Sequence, residues 1–345
     1  MSPRENVPLA PFTTFGVGGP ARWFAEALTE ADIAEIAGFA DAKKAPLFVL
    51  GGGSNLLVAD APFPGTVVEV ATRGIDIVEE PGSVTLTIAA GEPWDDVVAL
   101  AVDRGWTGIE ALSGIPGRAG ATPIQNVGAY GQDVSQVVAS VRALDRRAGS
   151  VLDLAREECG FGYRTSTFKR EPERWVVLSI VLRLGTEGQG AVRYGELARA
   201  LDIPGGGSAR VDEIRRAVLM LRSGKGMVLD VADHDTWSAG SFFTNPVVSP
   251  ETAATIPAEC PRYPADEGVK LSAAWLIEHA GVGRGYALQP SAPAAVSGKH
   301  TLALTNRGSA TAADLIALAR DIRERVQERF GITLQAEVRT VGCSF

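Results

Sequence analysis

From residue 112 to residue 133 the chain runs through glycine, proline and alanine with the spacing of neither a helix nor a strand. A compact domain seldom carries so long an irregular segment unless it is functional or disordered. Ile115, Ile124, Val127 and Tyr130 are embedded in it, so the segment is expected to be ordered. Gly114, Gly117, Gly120, Gly128 and Gly131 let the backbone approach a ligand closely. Thr122, Gln125 and Asn126 add donors and acceptors suited to a large ligand that is both polar and aromatic. An elaborate structural loop is the alternative.

A second glycine cluster follows a strand. Residues 46–50, Pro-Leu-Phe-Val-Leu, form a short apolar run that empties at Leu50 into Gly51-Gly52-Gly53-Ser54-Asn55. Bare amides at such a turn line an anion or simply reverse the chain, and the residues alone fit both readings. No Gly-Lys-Ser/Thr follows, so this is not a nucleotide-triphosphate loop. Gly16-Val17-Gly18-Gly19-Pro20-Ala21 mimics a dinucleotide fingerprint, but Pro20 lacks an amide donor and no strong apolar strand precedes it. A Rossmann site there is rejected.

The remaining pattern is mixed α and β. Thr29-Glu30-Ala31-Asp32 and Thr311-Ala312-Ala313-Asp314 predict helix starts, the second followed by an apolar stripe of Leu315, Leu318, Ala319, Ile322, Val326 and Phe330. Residues 84–88 and 175–184 read as strands, residues 94–101 as a helix, and Tyr194 opens a short one. Residues 205–208, Gly-Gly-Gly-Ser, read as a flexible joint. Val211, Ile214, Ala217, Val218 and Leu221 share a helical face that ends near Gly224, which suggests a domain boundary near residue 220.

A net charge of −8 argues against sequence-independent nucleic-acid binding. The amino terminus has no basic segment leading into an apolar run, and no run of about 18 apolar residues occurs. A cytoplasmic protein with no membrane insertion is expected. Cys159, Cys260 and Cys343 are odd in number and scattered, which fits a reducing compartment. Three histidines and no paired-cysteine spacing leave no metal site to expect.

The two glycine clusters, with Ser113-Gly114-Ile115-Pro116-Gly117 and Pro123-Ile124-Gln125-Asn126-Val127-Gly128-Ala129-Tyr130-Gly131 in the second, resemble the UDP-N-acetylenolpyruvoylglucosamine reductase family. Three further segments match in order: Phe161-Gly162-Tyr163-Arg164-Thr165-Ser166, Ala239-Gly240-Ser241-Phe242-Phe243-Thr244-Asn245-Pro246, and Leu334-Gln335-Ala336-Glu337-Val338-Arg339. The resemblance implies an α+β chain with an FAD-binding fold of the vanillyl-alcohol-oxidase/p-cresol-methylhydroxylase type, made of two subdomains, plus a substrate-binding α+β domain. The expected divisions are residues 1–70 completed by 332–345, residues 71–220, and residues 221–331. The implied activity is NADPH-dependent reduction of an enolpyruvyl nucleotide sugar through non-covalent FAD, in peptidoglycan precursor synthesis. The partners are then the nucleotide sugar and NADPH, and the protein is a monomer.

By the same resemblance Arg164, Ser241 and Glu337 are catalytic. Leu50, Gly51, Gly52, Gly53, Ser54 and Asn55 hold FAD together with Ser113, Gly114, Pro116, Gly117, Gly120, Thr122, Gln125, Asn126, Gly128 and Ala129. Tyr163, Tyr194, Lys225 and Asn245 contact substrate, and Tyr194 points to the type I branch. Ala336 stands where a proline is common and Thr244 where a lysine is common. The residue types suit these roles, because an arginine fork stabilises a developing enolate and a fixed hydroxyl can protonate so strong a base. Without the resemblance, Glu337 reads as a strand-end salt bridge and Ser241 as a turn entering a core strand. Another FAD oxidase of the same fold, or a nucleotide-binding protein without redox activity, are the rival readings.

Overall fold

The computed structural model describes residues 2–265 and 267–345. The chain forms two compact units: the first takes residues up to 7, 21–52 and 64–223, the second residues 8–20, 53–63 and 224–345. Among the described residues no helix is long and apolar enough to cross a membrane.

The first unit holds two sheets. One has four strands in the order Arg4–Pro8, Pro20–Ala27, Phe63–Val70, Leu47–Leu50. Its pair Leu47–Leu50 and Phe63–Val70 is parallel, with Leu47 opposite Thr66. The helix Glu30–Ala42 crosses between Pro20–Ala27 and Leu47–Leu50 in the chain, and it starts as its sequence dictates. Thr29 Oγ1 accepts the Asp32 amide at 3.1 Å while Asp32 Oδ2 accepts the Thr29 amide at 2.9 Å. Two of the four orphan amides of the first turn are thereby satisfied, and Ile33, Ile36, Ala37 and Ala40 fall on the buried face.

The other sheet is antiparallel in the order Ser150–Ala155, Val138–Asp145, Trp175–Gly185, Ser83–Ala89, Ile75–Glu80. Its central strand is buried at every position from Trp175 to Ile180. A strand covered on both faces reads as an unbroken apolar run, which is why it was visible in the sequence. Each fully buried Val, Leu or Ile there contributes roughly 1.5–3 kcal/mol. The helix Trp94–Asp103 packs Trp94, Val97, Val98 and Ala101 into the same core.

Residues 205–208 are not a joint. They turn the chain back so that Ser208–Arg210 pairs with Gln189–Ala191, Ser208 opposite Ala191, around the short helix Gly195–Ala200. A run of three glycines permits such a reversal as readily as a linker does. The 112–133 segment is largely irregular but ordered, with a 3-10 turn at Ala119–Ala121 running into a helical turn at Thr122–Gln125, and a two-residue hairpin pairing Gly128–Ala129 with Gln132–Asp133. Elements that short leave no periodicity to read.

The second unit is built around the helix Ala312–Phe330. Thr311 and Asp314 close the predicted capping box, and Asp60 accepts the Ala312 and Ala313 amides at 2.8 and 3.0 Å. Gly331, at φ +69°, ends the helix in the left-handed region. The strand Arg339–Val341 runs parallel to Leu56–Val58, and Val247–Val248, Val269–Leu271 and Arg262–Pro264 form a small antiparallel sheet.

Candidate active site

In the first unit the strand Leu47–Leu50 delivers Gly51 and Gly52 against the second glycine loop. A Cβ on Gly52 would lie 2.6 Å from the Gly117 Cα, so the two backbones meet with no room for a side chain. Arg118, the next residue, has its Nε buried without a hydrogen-bond partner. Gly114 is fixed from behind: its amide donates to Asp95 Oδ1 at 2.6 Å, and Arg215 grips the same carboxylate at 2.7 and 2.8 Å. Burial pushes Asp95 up, but the Arg215 fork and the Gly114 amide outweigh it and hold the carboxyl below its ordinary range.

Several expected cofactor residues spend their side chains on the protein's own backbone. Ser113 Oγ donates to the Glu110 carbonyl at 2.6 Å and Thr122 Oγ1 to the Ala119 carbonyl at 2.7 Å. Asn126, left-handed at φ +45°, donates to the Gly162 carbonyl at 3.1 Å and accepts the Ser135 amide at 3.1 Å. These three side chains give the loop its shape.

Tyr163 and Arg164 form the tip of a tight turn in which Gly162 and Thr165 exchange backbone hydrogen bonds. Arg164 sits at φ +51°, a conformation that costs a non-glycine residue about 1–3 kcal/mol. Its guanidinium donates to the Asn126 carbonyl at 3.2 Å and the Gly128 carbonyl at 2.7 Å, and Lys169 Nζ donates to the Arg164 carbonyl at 2.9 Å. The strained backbone therefore aims the side chain along the glycine loop. Tyr163 is exposed beside it.

Tyr194 caps the helix Gly195–Ala200 and meets Tyr130 edge to face at 5.6 Å. Burial pushes the Tyr130 phenol up to about 12, with Arg222 opposing, so the hydroxyl stays protonated. Arg222 is itself buried, and burial lowers its guanidinium below the usual arginine range against the pull of Tyr130 and Asp95. Sequence reading left Arg222 out. Its one signal is position, four residues after Val218 on the apolar face of the helix Val211–Gly224, where a charge is out of place.

In the second unit Gly53, at φ +63°, places its Cα so that a Cβ would fall 1.8 Å from the Phe12 carbonyl oxygen. Its own carbonyl accepts the Thr14 amide at 3.2 Å, and Thr14 Oγ1 is buried with no hydrogen-bond partner. Thr14 was also missed, because it precedes a segment read only as a rejected fingerprint. Asn55 donates to the Glu337 carbonyl at 3.3 Å and accepts the Arg339 amide at 3.0 Å, tying the first glycine cluster to the carboxyl-terminal segment.

Ser241 and Glu337 lie on neighbouring extended segments. Ser241 bridges Ala303, Phe243 bridges Ala336, and the Glu337 amide donates to the Phe242 carbonyl at 2.8 Å. Phe242 and Phe243 anchor this ladder in the core against Phe345. Asn245 uses its side-chain oxygen to accept the Ala273 amide at 2.9 Å at the start of the helix Ala273–His279. Ala336 and Thr244 both keep the ladder regular, since the Thr244 amide donates to the Gln335 carbonyl at 3.0 Å. Lys225 is half-buried just beyond the helix Val211–Gly224. Arg164 and Tyr194 thus belong to the first unit, and Ser241, Glu337, Asn245 and Lys225 to the second.

Residues 232–341 match the family of the UDP-N-acetylenolpyruvoylglucosamine reductase C-terminal domain, and residues 21–155 match an FAD binding domain family. The reductase of that name from Cutibacterium acnes is 49% identical over 348 residues, covering 100% of this chain and 92% of that protein. The one from Streptomyces coelicolor is 50% identical over 351 residues, covering 98% and 90%. The crystal structure of the Thermus caldophilus enzyme superimposes with a TM-score of 0.68 at 27% identity over 98% of this chain and 99% of that one. With full-length identity of this order, the chain belongs to the UDP-N-acetylenolpyruvoylglucosamine reductase family.

Proposed function

We propose that this protein reduces the enolpyruvyl group of UDP-N-acetylglucosamine enolpyruvate to UDP-N-acetylmuramate, with NADPH as co-substrate and non-covalent FAD as cofactor. The reading rests on family membership, and the observation that carries it in this chain is the backbone ladder that puts Ser241 and Glu337 on neighbouring extended segments. The residues fit FAD. Each glycine cluster presents bare backbone, and beside each stands a buried polar atom without a partner, Arg118 Nε and Thr14 Oγ1. Arg118 would hold the diphosphate by its charge and Gly51, Gly52, Gly114 and Gly117 would take the cofactor along their backbone. FAD, when bound, supplies the hydride relay between NADPH and substrate.

The chain's own groups supply the rest. Negative charge builds on the substrate carboxylate and its neighbouring carbon as the double bond is reduced, and the Arg164 guanidinium neutralises it. Holding that fork in place before the reaction removes reorganisation from the barrier. Ser241 Oγ gives its proton to the carbanionic carbon, and the Glu337 carboxyl stabilises the enol form. Tyr163, Tyr194, Lys225 and Asn245 hold the nucleotide-sugar end.

We read residues 1–70 with 332–345 and residues 71–220 as the two FAD subdomains, and 221–331 as the substrate domain. The parallel pairing of Arg339–Val341 with Leu56–Val58 ties the carboxyl-terminal segment to residues 53–63 within the second compact unit. A cytoplasmic monomer acting on soluble nucleotide sugar completes the proposal. Steady-state NADPH oxidation tests it: turnover should depend on the enolpyruvyl nucleotide, and flavin reduction by an alcohol in its place would favour an oxidase of the same fold.

A further inference from the structure

Glu110 is 1% exposed, and both of its carboxylate oxygens are engaged within the first unit. One accepts the Gly108 amide at 2.6 Å and the other accepts Gln132 Nε2 at 2.7 Å. Gln132 Oε1 in turn accepts the Ala111 amide at 2.8 Å, which fixes the orientation of its amide and closes a ring between residues 110–111 and 132. Among the described residues no arginine or lysine side chain pairs with the carboxylate in this ring. Burying polar groups is costly unless each is hydrogen-bonded, and an apolar pair of the same volume would serve stability as well.

What the ring holds is the hairpin of the second glycine loop. Gln132 pairs with Ala129, and Tyr130 and Gly131 form the tip between them. The Gly128 carbonyl on the same hairpin accepts Arg164 Nη2 at 2.7 Å, and the Asn126 carbonyl just before it accepts Nη1 at 3.2 Å. Tyr130 at the tip meets Tyr194. Gly190, on the strand Gln189–Ala191, backs the carboxylate so closely that a Cβ there would come within 2.1 Å of Glu110 Oε1. One buried carboxylate therefore ties the irregular loop, through a single hairpin, to a proposed catalytic arginine and a proposed substrate tyrosine.

We propose that Glu110 and Gln132 are positioning residues for the substrate-reducing step, acting through the hairpin that aims the Arg164 guanidinium. The inference rests on the catalytic reading of Arg164. Glu110→Gln leaves the Gly108 amide its acceptor but sets the introduced amide donor against Gln132 Nε2. The combined exchange Glu110→Gln with Gln132→Glu restores every donor to an acceptor: the Gly108 amide to the oxygen at 110, the nitrogen at 110 to one oxygen at 132, and the Ala111 amide to the other.

The test uses holoenzyme in rapid mixing, with bleaching of the FAD absorbance by NADPH and its recovery on adding the enolpyruvyl nucleotide followed separately. Glu110→Gln should slow recovery by about tenfold or more while bleaching changes little, as expected for a displaced catalytic group. The double exchange should regain most of that loss, and Gly190→Ala should reproduce it. An Arg164→Met control separates the two readings. If it slows recovery while Glu110→Gln does not, the positioning role falls and Arg164 stands. If Arg164→Met recovers at the wild-type rate, both fall. A slow Glu110→Gln that the exchange does not rescue also overturns the inference, and so does a folded, FAD-loaded double exchange that is as slow as the single variant. If Glu110→Gln alone fails to fold, the double exchange carries the test: near wild-type recovery supports the ring and slow recovery rejects it.

Discussion

The Glu337 amide donates to the Phe242 carbonyl at 2.8 Å, and this one backbone bond sets Glu337 alongside Ser241 although nearly a hundred residues separate them in the chain. On the other side Phe242 donates to the Leu302 carbonyl at 2.8 Å. The segment carrying Ser241 is thus flanked by two partner segments, which fix the backbone at Ser241.

Ser241→Ala should therefore keep its fold and its FAD. Bleaching by NADPH should proceed normally, and turnover of the enolpyruvyl nucleotide should drop by about 10²–10⁴-fold, the range for loss of a positioned proton donor. Stopped-flow absorbance measures both halves, and unchanged turnover would remove Ser241 from the chemistry.

Gly52→Ala forces a Cβ to within 2.6 Å of the Gly117 backbone, where nothing flexible can yield. The expected cost is about 1–3 kcal/mol, with a lower ratio of FAD to protein after purification. Gly38→Ala is the control, because a Cβ there meets nothing within 4 Å beyond its own helix backbone and chain neighbours. A denaturation midpoint and a flavin-to-protein absorbance ratio decide the comparison.

Asp95 gives a pH signature. Its carboxyl is held low in the folded protein, so its stabilising effect is complete above the unfolded carboxylate value of about 3.9 and fades as pH falls through the lower folded value. The stability gap between wild type and Asp95→Asn should be constant near neutrality and shrink below about pH 4. Urea titrations across that range test it, and a gap that widened in acid would contradict the assignment.

Asp60→Ala removes the acceptor for two amides at the start of the helix Ala312–Phe330. A loss of about 0.5–2 kcal/mol is expected from the cap, with FAD binding retained. Thermal melting of the holoenzyme measures it.

The parts of the fold that were legible are those whose cause is local. Thr29 with Asp32 and Thr311 with Asp314 announce their helices because each capping box closes within one turn. The strand Trp175–Gly185 announces itself because both of its faces are buried from Trp175 to Ile180. Residues 205–208 misled because glycine permits a hairpin and a linker alike, and only the pairing of Ser208 with Ala191 decides between them. The site divides the same way. Gly52 and Gly53 stand out as glycines, but the backbones that demand them, at Gly117 and Phe12, are far away in the chain. Thr14, Arg222 and Glu110 carry no motif at all, and their importance comes from burial that only the folded chain reveals.

This chain carries hydride from NADPH to an enolpyruvyl nucleotide sugar through bound FAD. The purified protein should be yellow, lose its absorbance near about 450 nm when NADPH is added without oxygen, and regain it on adding UDP-N-acetylglucosamine enolpyruvate. A colourless protein, or a bleached one whose colour that substrate does not restore, would rule out this reaction.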